Sequence, residues 1–233
     1  MGNTFGWLHL TDLHWGMSSQ KGLWPRFGQK FFDDLNRLHD EFGPWDAVFF
    51  TGDLTQSGTE EQFDGVDALL EKLWNVFQKR GFHPSLLAVP GNHDLVRPAA
   101  DNPEVILLGE WKERPEVQRR FWEDPASPYR TSVSRAFAPY QQWWDAQTLK
   151  PSRVNDGILP GDFSATIENS SGLRIGIVGL NTTFLQLTAG DHKGRLAVDP
   201  AQFQSVCHND GPAWAGRHHV TPACCLRIKA QTG

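Results

Sequence analysis

The chain has few of the residues and segments that mark secreted or membrane-spanning proteins. Its 233 residues include only three cysteines, Cys207, Cys224 and Cys225, all within the last 27 positions. That spacing matches neither a zinc knuckle nor a disulfide framework and leaves one thiol over, so we expect reduced thiols. No apolar run approaches the roughly 18 residues that a membrane span needs, and we expect no membrane partner.

The chain also lacks a strong charge of either sign. A net charge of −5 and a pI near 6.0 argue against electrostatic binding to duplex nucleic acid. Because the first apolar run begins at Phe5, no signal peptide is predicted and we expect a cytoplasmic protein. The length suits one domain.

Hydrophobic patterns predict an alternation of strands and helices in the first 95 residues. Apolar runs predict buried strands at 7–10, 46–50 and 86–89. Apolar residues at helical spacing predict helices at 26–41 and about 60–79 between them. This alternation implies parallel strands joined by right-handed crossovers, so all three strands should end at the same edge of one sheet. The sequence therefore predicts an α/β fold.

The segment 97–150 differs in composition, because it is rich in proline, arginine, glutamate and tryptophan. Helices are predicted near 111–123 and 134–147. We interpret the segment as a helical, Trp-rich insertion in the same domain. Its aromatic rings could stack a nucleobase, but their helical spacing favours a role in the core. Beyond it, 163–168 and 173–180 are predicted to form two antiparallel strands.

Polar side chains follow each of the three predicted strands. They are Asp12 and His14 after the first strand, Asp53 after the second, and Asn92, His93 and Asp94 after the third. Carboxylate, imidazole and amide groups are ligands of divalent ions, and loops at strand ends are where α/β folds place their chemistry. Any one segment is weak evidence, since a single Asp at a strand end is often only a helix cap. Together, and in this order, they indicate a metal site.

Three segments resemble the first three motifs of the calcineurin-like metallophosphoesterases: Asp12-Leu13-His14, Gly52-Asp53-Leu54-Thr55 and Gly91-Asn92-His93-Asp94. The resemblance implies a four-layer α/β/β/α sandwich over 1–220. It also implies two divalent ions, Mn²⁺, Fe²⁺ or Zn²⁺, and a metal-activated hydroxide that attacks a phosphoester. The second and third motifs are most similar to the branch that includes cyclic-nucleotide phosphodiesterases. We therefore expect a small phosphodiester or nucleotide as substrate more than a phosphomonoester.

The resemblance also implies the residue roles. Asp12 and His14 would bind the first ion, Asp53 would bridge both ions, and Asn92 would bind the second. His93 matches the family's non-ligand histidine, which contacts the phosphoryl group and helps the leaving oxygen depart. Asp94 would orient the His93 imidazole by accepting its other N–H, with a helix N-cap or a surface salt bridge as the alternative.

The end of the chain departs from the family's pattern. Two further motifs are expected, a strand that ends in histidine and a Gly-His-x-His segment, and the second occurs nowhere in the sequence. Pro222 and polar residues stand where an aliphatic strand should follow Val220. We therefore expect 221–233 to be an aberrant tail left by truncation or a frameshift, an incomplete C-terminal part of the fold, and poor catalysis by this chain. A catalytically impaired remnant that binds phosphate or a protein, and a fragment of a larger multidomain protein, remain alternatives to an enzyme.

Overall fold

Seven strands and eight helices follow one another along the described part of the chain. The computed structural model describes residues 4–18, 20–217 and 224–225, with the backbone alone at 20–27 and 224–225. The strands are β1 Trp7–Leu10, β2 Ala47–Thr51, β3 Ser85–Val89, β4 Val154–Asp156, β5 Phe163–Glu168, β6 Arg174–Gly179 and β7 Cys224–Cys225. The helices are α1 Gln20–Phe42, α2 Glu60–Lys79, α3 Pro103–Gly109, α4 Pro115–Glu123, α5 Pro128–Ala136, α6 Ala138–Ala146, α7 Pro200–Val206 and α8 Gly211–Gly216.

The first three strands form a parallel sheet in the order β1-β2-β3, as the alternation of elements predicts. Right-handed crossovers place α1 and α2 on one face of this sheet. The two helices are joined by the Arg80 guanidinium, which donates to Asn36 Oδ1 at 3.0 Å and to Asp40 Oδ1 at 2.6 Å. The predicted helix at 60–79 is confirmed at both ends, whereas α1 begins six residues before the predicted 26, at Gln20.

The sequence predicts that β1 is buried, and the structure corrects this. Trp7 is 57% exposed, and the side chains along β1 alternate between exposed and half-buried. Within the described residues β1 pairs only with β2, so it lies at the edge of the sheet. A short apolar run does not distinguish an edge strand from a central one, because its burial depends on the neighbours.

The second sheet packs against the first through a shared core. It has the order β4-β5-β6-β7, with β4, β5 and β6 antiparallel and β7 parallel to β6. Ala165, Ile167 and Ile177 point from this sheet into the main core, and α7 and α8 cover part of its other face. The order of layers is helices, sheet, sheet, helices, which confirms the α/β/β/α prediction. Apart from β7, the predicted aberrant tail lies outside the described residues.

The segment 97–150 forms four short helices, α3 to α6, where the sequence predicts two. A proline at the first or second position begins each of the four, which explains the extra breaks. The tryptophans are core residues, as predicted: Trp111 packs in a second core with Phe184, and Trp143 and Trp144 pack in the main core. Across the described ranges, no helix has the length and apolarity to cross a bilayer.

A buried carboxylate fixes the loops at the ends of β5 and β6. Asp162 accepts hydrogen bonds from Leu159 N at 3.1 Å, Asn181 N at 2.8 Å and Gln202 Nε2 at 3.0 Å. Burial raises the pKa of Asp162 to about 7, although these donors oppose the shift. The group thus connects the loop before β5, the end of β6 and helix α7.

We expect Asp162→Ala to lower the free energy of unfolding by about 3 kcal/mol, because three buried donors lose their acceptor. Since the pKa of Asp162 is higher in the folded state, its contribution to stability is complete near pH 4 and falls as the pH rises through about 7. Urea unfolding at pH 5 and pH 8 should therefore show a smaller difference from the wild type at pH 8. The exposed Asp156→Ala is the control, and a difference that does not change with pH would contradict the prediction.

Candidate metal centre

Three loops follow β1, β2 and β3, and the first two lie side by side. We call them loop 1 (11–15), loop 2 (52–58) and loop 3 (90–94). The backbone N–H groups of Asp12, His14 and Trp15 donate across to the carbonyl oxygens of Gly52, Asp53 and Leu54, at 3.2, 2.8 and 2.9 Å. This ladder continues the parallel pairing of β1 and β2 beyond the ends of the strands. It brings the polar side chains of loops 1 and 2 to one edge of the sheet.

Three of the predicted ligands have strained backbones. The φ angle is 55° at Asp12, 46° at His14 and 53° at Asp53. L-residues rarely adopt this left-handed conformation, which costs about 1–3 kcal/mol at each position and persists only where the surroundings enforce it. Strain at these three positions distinguishes this edge from an ordinary set of turns.

The side chains of His14, Asp53 and His93 converge. Each offers one possible ligand atom, and the three atoms lie within 4.8 Å of one another. His14 Nε2 lies 4.0 Å from Asp53 Oδ2, and the rings of His14 and His93 have centroids 4.7 Å apart. Ligands bonded to one ion at about 2.0–2.3 Å are separated by up to about 4.5 Å, so small side-chain movements would close this cluster around a cation.

Asp12 and Asn92 lie beside the cluster. The Asp12 side chain is 62% exposed, and its Oδ1 is 3.7 Å from His14 Nε2. Asn92 is half-buried in loop 3, and its carbonyl oxygen accepts from Arg97 Nη2 at 3.3 Å. The two residues belong to the same loops as the three converging side chains, and their contact with metal stays a prediction.

The converging side chains fit a divalent cation. Two imidazoles and a carboxylate are typical ligands of Zn²⁺, Mn²⁺ or Fe²⁺. Asp53 Oδ1 accepts from His93 N at 2.9 Å, which leaves Oδ2 directed towards His14. The ring atom His14 Nδ1 is buried and has no hydrogen-bond partner in the described chain. The other ring nitrogen, Nε2, faces the Asp53 carboxylate and is the atom that a cation in the cluster would contact.

Comparison with known proteins adds an independent finding. A family model described as calcineurin-like phosphoesterase matches residues 7–192, which include all three loops. The chain belongs to the calcineurin-like phosphoesterase family. Members of this family are hydrolases that act on phosphoesters with divalent metal ions, and the cluster described above is a group of side chains that could hold such an ion. No curated protein matches the chain.

Loops 2 and 3 of the phosphoesterase meet at a glycine. A Cβ on Gly91 would lie 2.1 Å from Asp53 Oδ1 and 2.3 Å from Asp53 N. Both atoms belong to a residue that is already held by strain and by the His93 N–H, so neither can retreat freely. Glycine at this position therefore sets the approach of loop 3 to the Asp53 carboxylate.

Asp94 joins loops 2 and 3 from below the cluster. Its buried carboxylate accepts from Leu54 N at 3.1 Å, Thr55 N at 2.7 Å, Thr55 Oγ1 at 2.9 Å and Gly91 N at 2.8 Å. Burial raises the pKa of Asp94 to about 6, against the effect of these donors. The contacts make Asp94 a clamp between the loops, which corrects the expectation that it orients the ring of His93.

Gln56 is the partner that orients His93, and the sequence analysis missed it. His93 Nδ1 lies 2.9 Å from the Gln56 carbonyl oxygen and 3.3 Å from Gln56 Nε2. The shorter contact requires Nδ1 to be the donor, so the neutral ring has its lone pair at Nε2. Gln56 Oε1 is buried without a partner among the described residues, and a flipped amide would give Nδ1–H a second acceptor. No sequence signal distinguishes this residue from an ordinary turn glutamine.

We expect Gly91→Ala to lower the free energy of unfolding by about 2–3 kcal/mol and to weaken metal binding. The added methyl would overlap Asp53, and relief requires loop 3 to move away. Urea unfolding and metal analysis of the purified protein measure the two effects. The control is Gly109→Ala, whose Cβ would meet nothing within 4 Å. Equal behaviour of the two variants would show that loop 3 tolerates the methyl.

We expect Asp94→Asn to lower the free energy of unfolding by about 2–4 kcal/mol. The new amide group would face two N–H or O–H donors with an NH₂ in place of an acceptor oxygen. The exposed Asp64→Asn on α2 is the matched control, and urea unfolding measures both. If Asp94→Asn were as stable as the wild type, the clamp role would be wrong.

Proposed function

We propose that this phosphoesterase hydrolyses phosphodiesters, with a nucleotide or a similar small molecule as substrate, at a binuclear divalent metal centre in loops 1–3. The observation that supports this most is the convergence of His14, Asp53 and His93 at the ends of three parallel strands, with strained backbone at His14 and Asp53. Mn²⁺, Fe²⁺ and Zn²⁺ all suit such a set of ligands.

In this proposal Asp12 and His14 hold the first ion, Asp53 bridges the pair and Asn92 holds the second. Bound divalent ions would supply Lewis acidity, which lowers the pKa of water and neutralises charge on phosphoryl oxygens. Asp53 suits a bridging role because one of its oxygens is fixed by His93 N and the other is directed towards His14. The exposed Asp12 side chain marks the side open to solvent, from which a substrate would enter.

His93 is proposed to contact the phosphoryl group. With Nδ1 held by the Gln56 carbonyl, the ring presents Nε2 to the cluster. When the ring is protonated, Nε2–H would donate to a phosphoryl oxygen or to the leaving oxygen, and this donation is general-acid assistance. Gln56 would act as a positioning residue, because it fixes the orientation of the ring that makes this contact.

The preference for diesters rests on the form of the second and third motifs. Arg97 follows loop 3 and donates to the carbonyl oxygens of Asn92 and Thr188, which fixes its guanidinium beside that loop.

A catalytically impaired remnant that binds phosphate or a protein is the second candidate, and the ligand count supports it. By the family resemblance, the first ion keeps Asp12, His14 and Asp53 of four protein ligands, and the second keeps only Asp53 and Asn92. Divalent sites usually need three or four protein ligands. His218 and His219, the candidates for replacing a lost ligand, lie outside the described residues.

We expect the purified 233-residue protein to hydrolyse a generic aryl phosphodiester only when Mn²⁺ or a similar ion is added, and slowly. Asp53→Asn should lower kcat/KM by about 100-fold or more and reduce bound metal, because it weakens the ligand shared by both ions. His93→Gln should lower kcat by about 100-fold and leave bound metal unchanged. Asp64→Asn is the control, and metal analysis accompanies each rate.

Three results would change these assignments. Loss of metal from His93→Gln would make His93 a ligand, which its distances permit. Two tightly held ions with brisk hydrolysis would show that this chain has a full set of ligands. The absence of both bound metal and metal-dependent turnover would favour the non-catalytic remnant.

A further inference from the structure

The outward face of the second sheet contains a cavity of about 330 Å³. Part of this face is covered, since Val178 packs with Val206, Cys207 and Trp214 in a small apolar core. Trp214 also stands in the wall of the cavity. The cavity therefore lies beside the covered part, between the sheet and the segment that carries α7 and α8.

The alternation of side chains explains why the floor of the cavity is polar. Ala165 and Ile167 of β5 point into the main core, so Ser164 and Thr166 face outward. Asn155 of β4 is paired with Ser164 and lines the same cavity. The floor thus carries polar side chains, where a fully covered sheet would carry apolar ones.

The segment that ends α7 is fixed to this floor by polar contacts. Val206 O accepts from Ser164 Oγ at 2.6 Å and from Asn155 Nδ2 at 2.7 Å. The next turn holds His208 and Asn209 in left-handed conformations, with φ of 56° and 58°. This conformation is costly for residues other than glycine, and it places His208 in the wall of the cavity.

Positive charge is concentrated around the cavity. The cationic side chains in its wall are Arg153, Arg174 and Arg217, and no carboxylate is among the lining residues. In the described chain, neither Arg153 nor Arg217 has an ion-pair partner. Arg174 Nε is 3.4 Å from Glu168 Oε2, yet it is buried and makes no hydrogen bond to a described residue. This local excess contrasts with the net charge of −5.

We propose that this cavity binds the phosphate group of a small phosphorylated molecule. Arginine guanidinium groups match phosphate oxygens in a two-pronged geometry, and three arginines line this cavity. The volume is within the range of small-molecule sites. A concave site of this size does not follow the backbone of a duplex. The main core separates the cavity from loops 1–3, so the site does not depend on the metal centre.

Calorimetric titration of the full chain with AMP, and separately with inorganic phosphate, tests the proposal. EDTA treatment first removes metal, so that phosphate does not bind at loops 1–3. We expect saturable binding of at least one of the two, weakened about tenfold or more by Arg153→Glu. Arg153 is exposed, so this change should leave the fold intact, and circular dichroism checks this. Arg174→Gln removes the charge of another arginine in the cavity wall and should also weaken binding.

The matched control is Arg119→Glu, which makes the same charge change at an exposed arginine on α4. Binding of AMP more tightly than phosphate would support a phosphorylated organic molecule, and equal binding would support recognition of the phosphate group alone. The proposal is overturned if neither probe saturates, if Arg153→Glu and Arg174→Gln bind as the wild type does, or if Arg119→Glu weakens binding equally.

Discussion

The geometry of the candidate metal centre depends on one buried carboxylate, that of Asp94. Four donors from loops 2 and 3 converge on its two oxygens, and the loops are held together at this point. Taking a carboxylate out of water is costly, and the raised pKa of Asp94 expresses this cost. The same donors would be buried without acceptors if Asp94 were absent. The donors offset the cost of burying the carboxylate, and the carboxylate offsets the cost of burying the donors. The clamp therefore forms with both loops or not at all.

The hydrogen bonds to Asp94 hold loops 2 and 3 in place, and this allows strained backbone conformations in the neighbouring residues. Left-handed backbone at Asp12, His14 and Asp53 costs about 3–9 kcal/mol in total by the usual magnitudes, against a typical domain stability of about 5–15 kcal/mol. The core beneath must offset this. Every residue of β2 is buried, and α2 buries seven apolar side chains against the sheet. Ligand geometry at the edge is thus enforced by packing well below it, and the strained loops cannot relax without breaking the ladder between loops 1 and 2.

The sequence predicts features that depend on local periodicity or on topology, and it misses those that depend on contacts between distant residues. Helix α2 is predicted at both ends because its apolar face is continuous, and the convergence of the loops follows from parallel strands alone. The partner of His93 could not be predicted in this way. Asp94 is adjacent in sequence, yet backbone N–H groups of loop 2 occupy its oxygens, and the ring turns to Gln56, 37 positions away. Likewise, an apolar run at Trp7 does not reveal that β1 is an edge strand in the described sheet.

The two sheets offer ligands different kinds of surface, and this difference follows from their topology. A parallel sheet is covered by its crossover helices on one face and here by the second sheet on the other, so its chemistry is confined to the ends of the strands. The second sheet has no such crossover helices between β4, β5 and β6, and α7 and α8 cover only part of its outward face. Outward positions that α7 and α8 leave uncovered are free to be polar, and here they carry Thr166 and Arg174. The same alternation that sends Ala165 and Ile167 into the core therefore places Thr166 on the opposite face, and the alternation along β6 places the Arg174 guanidinium there.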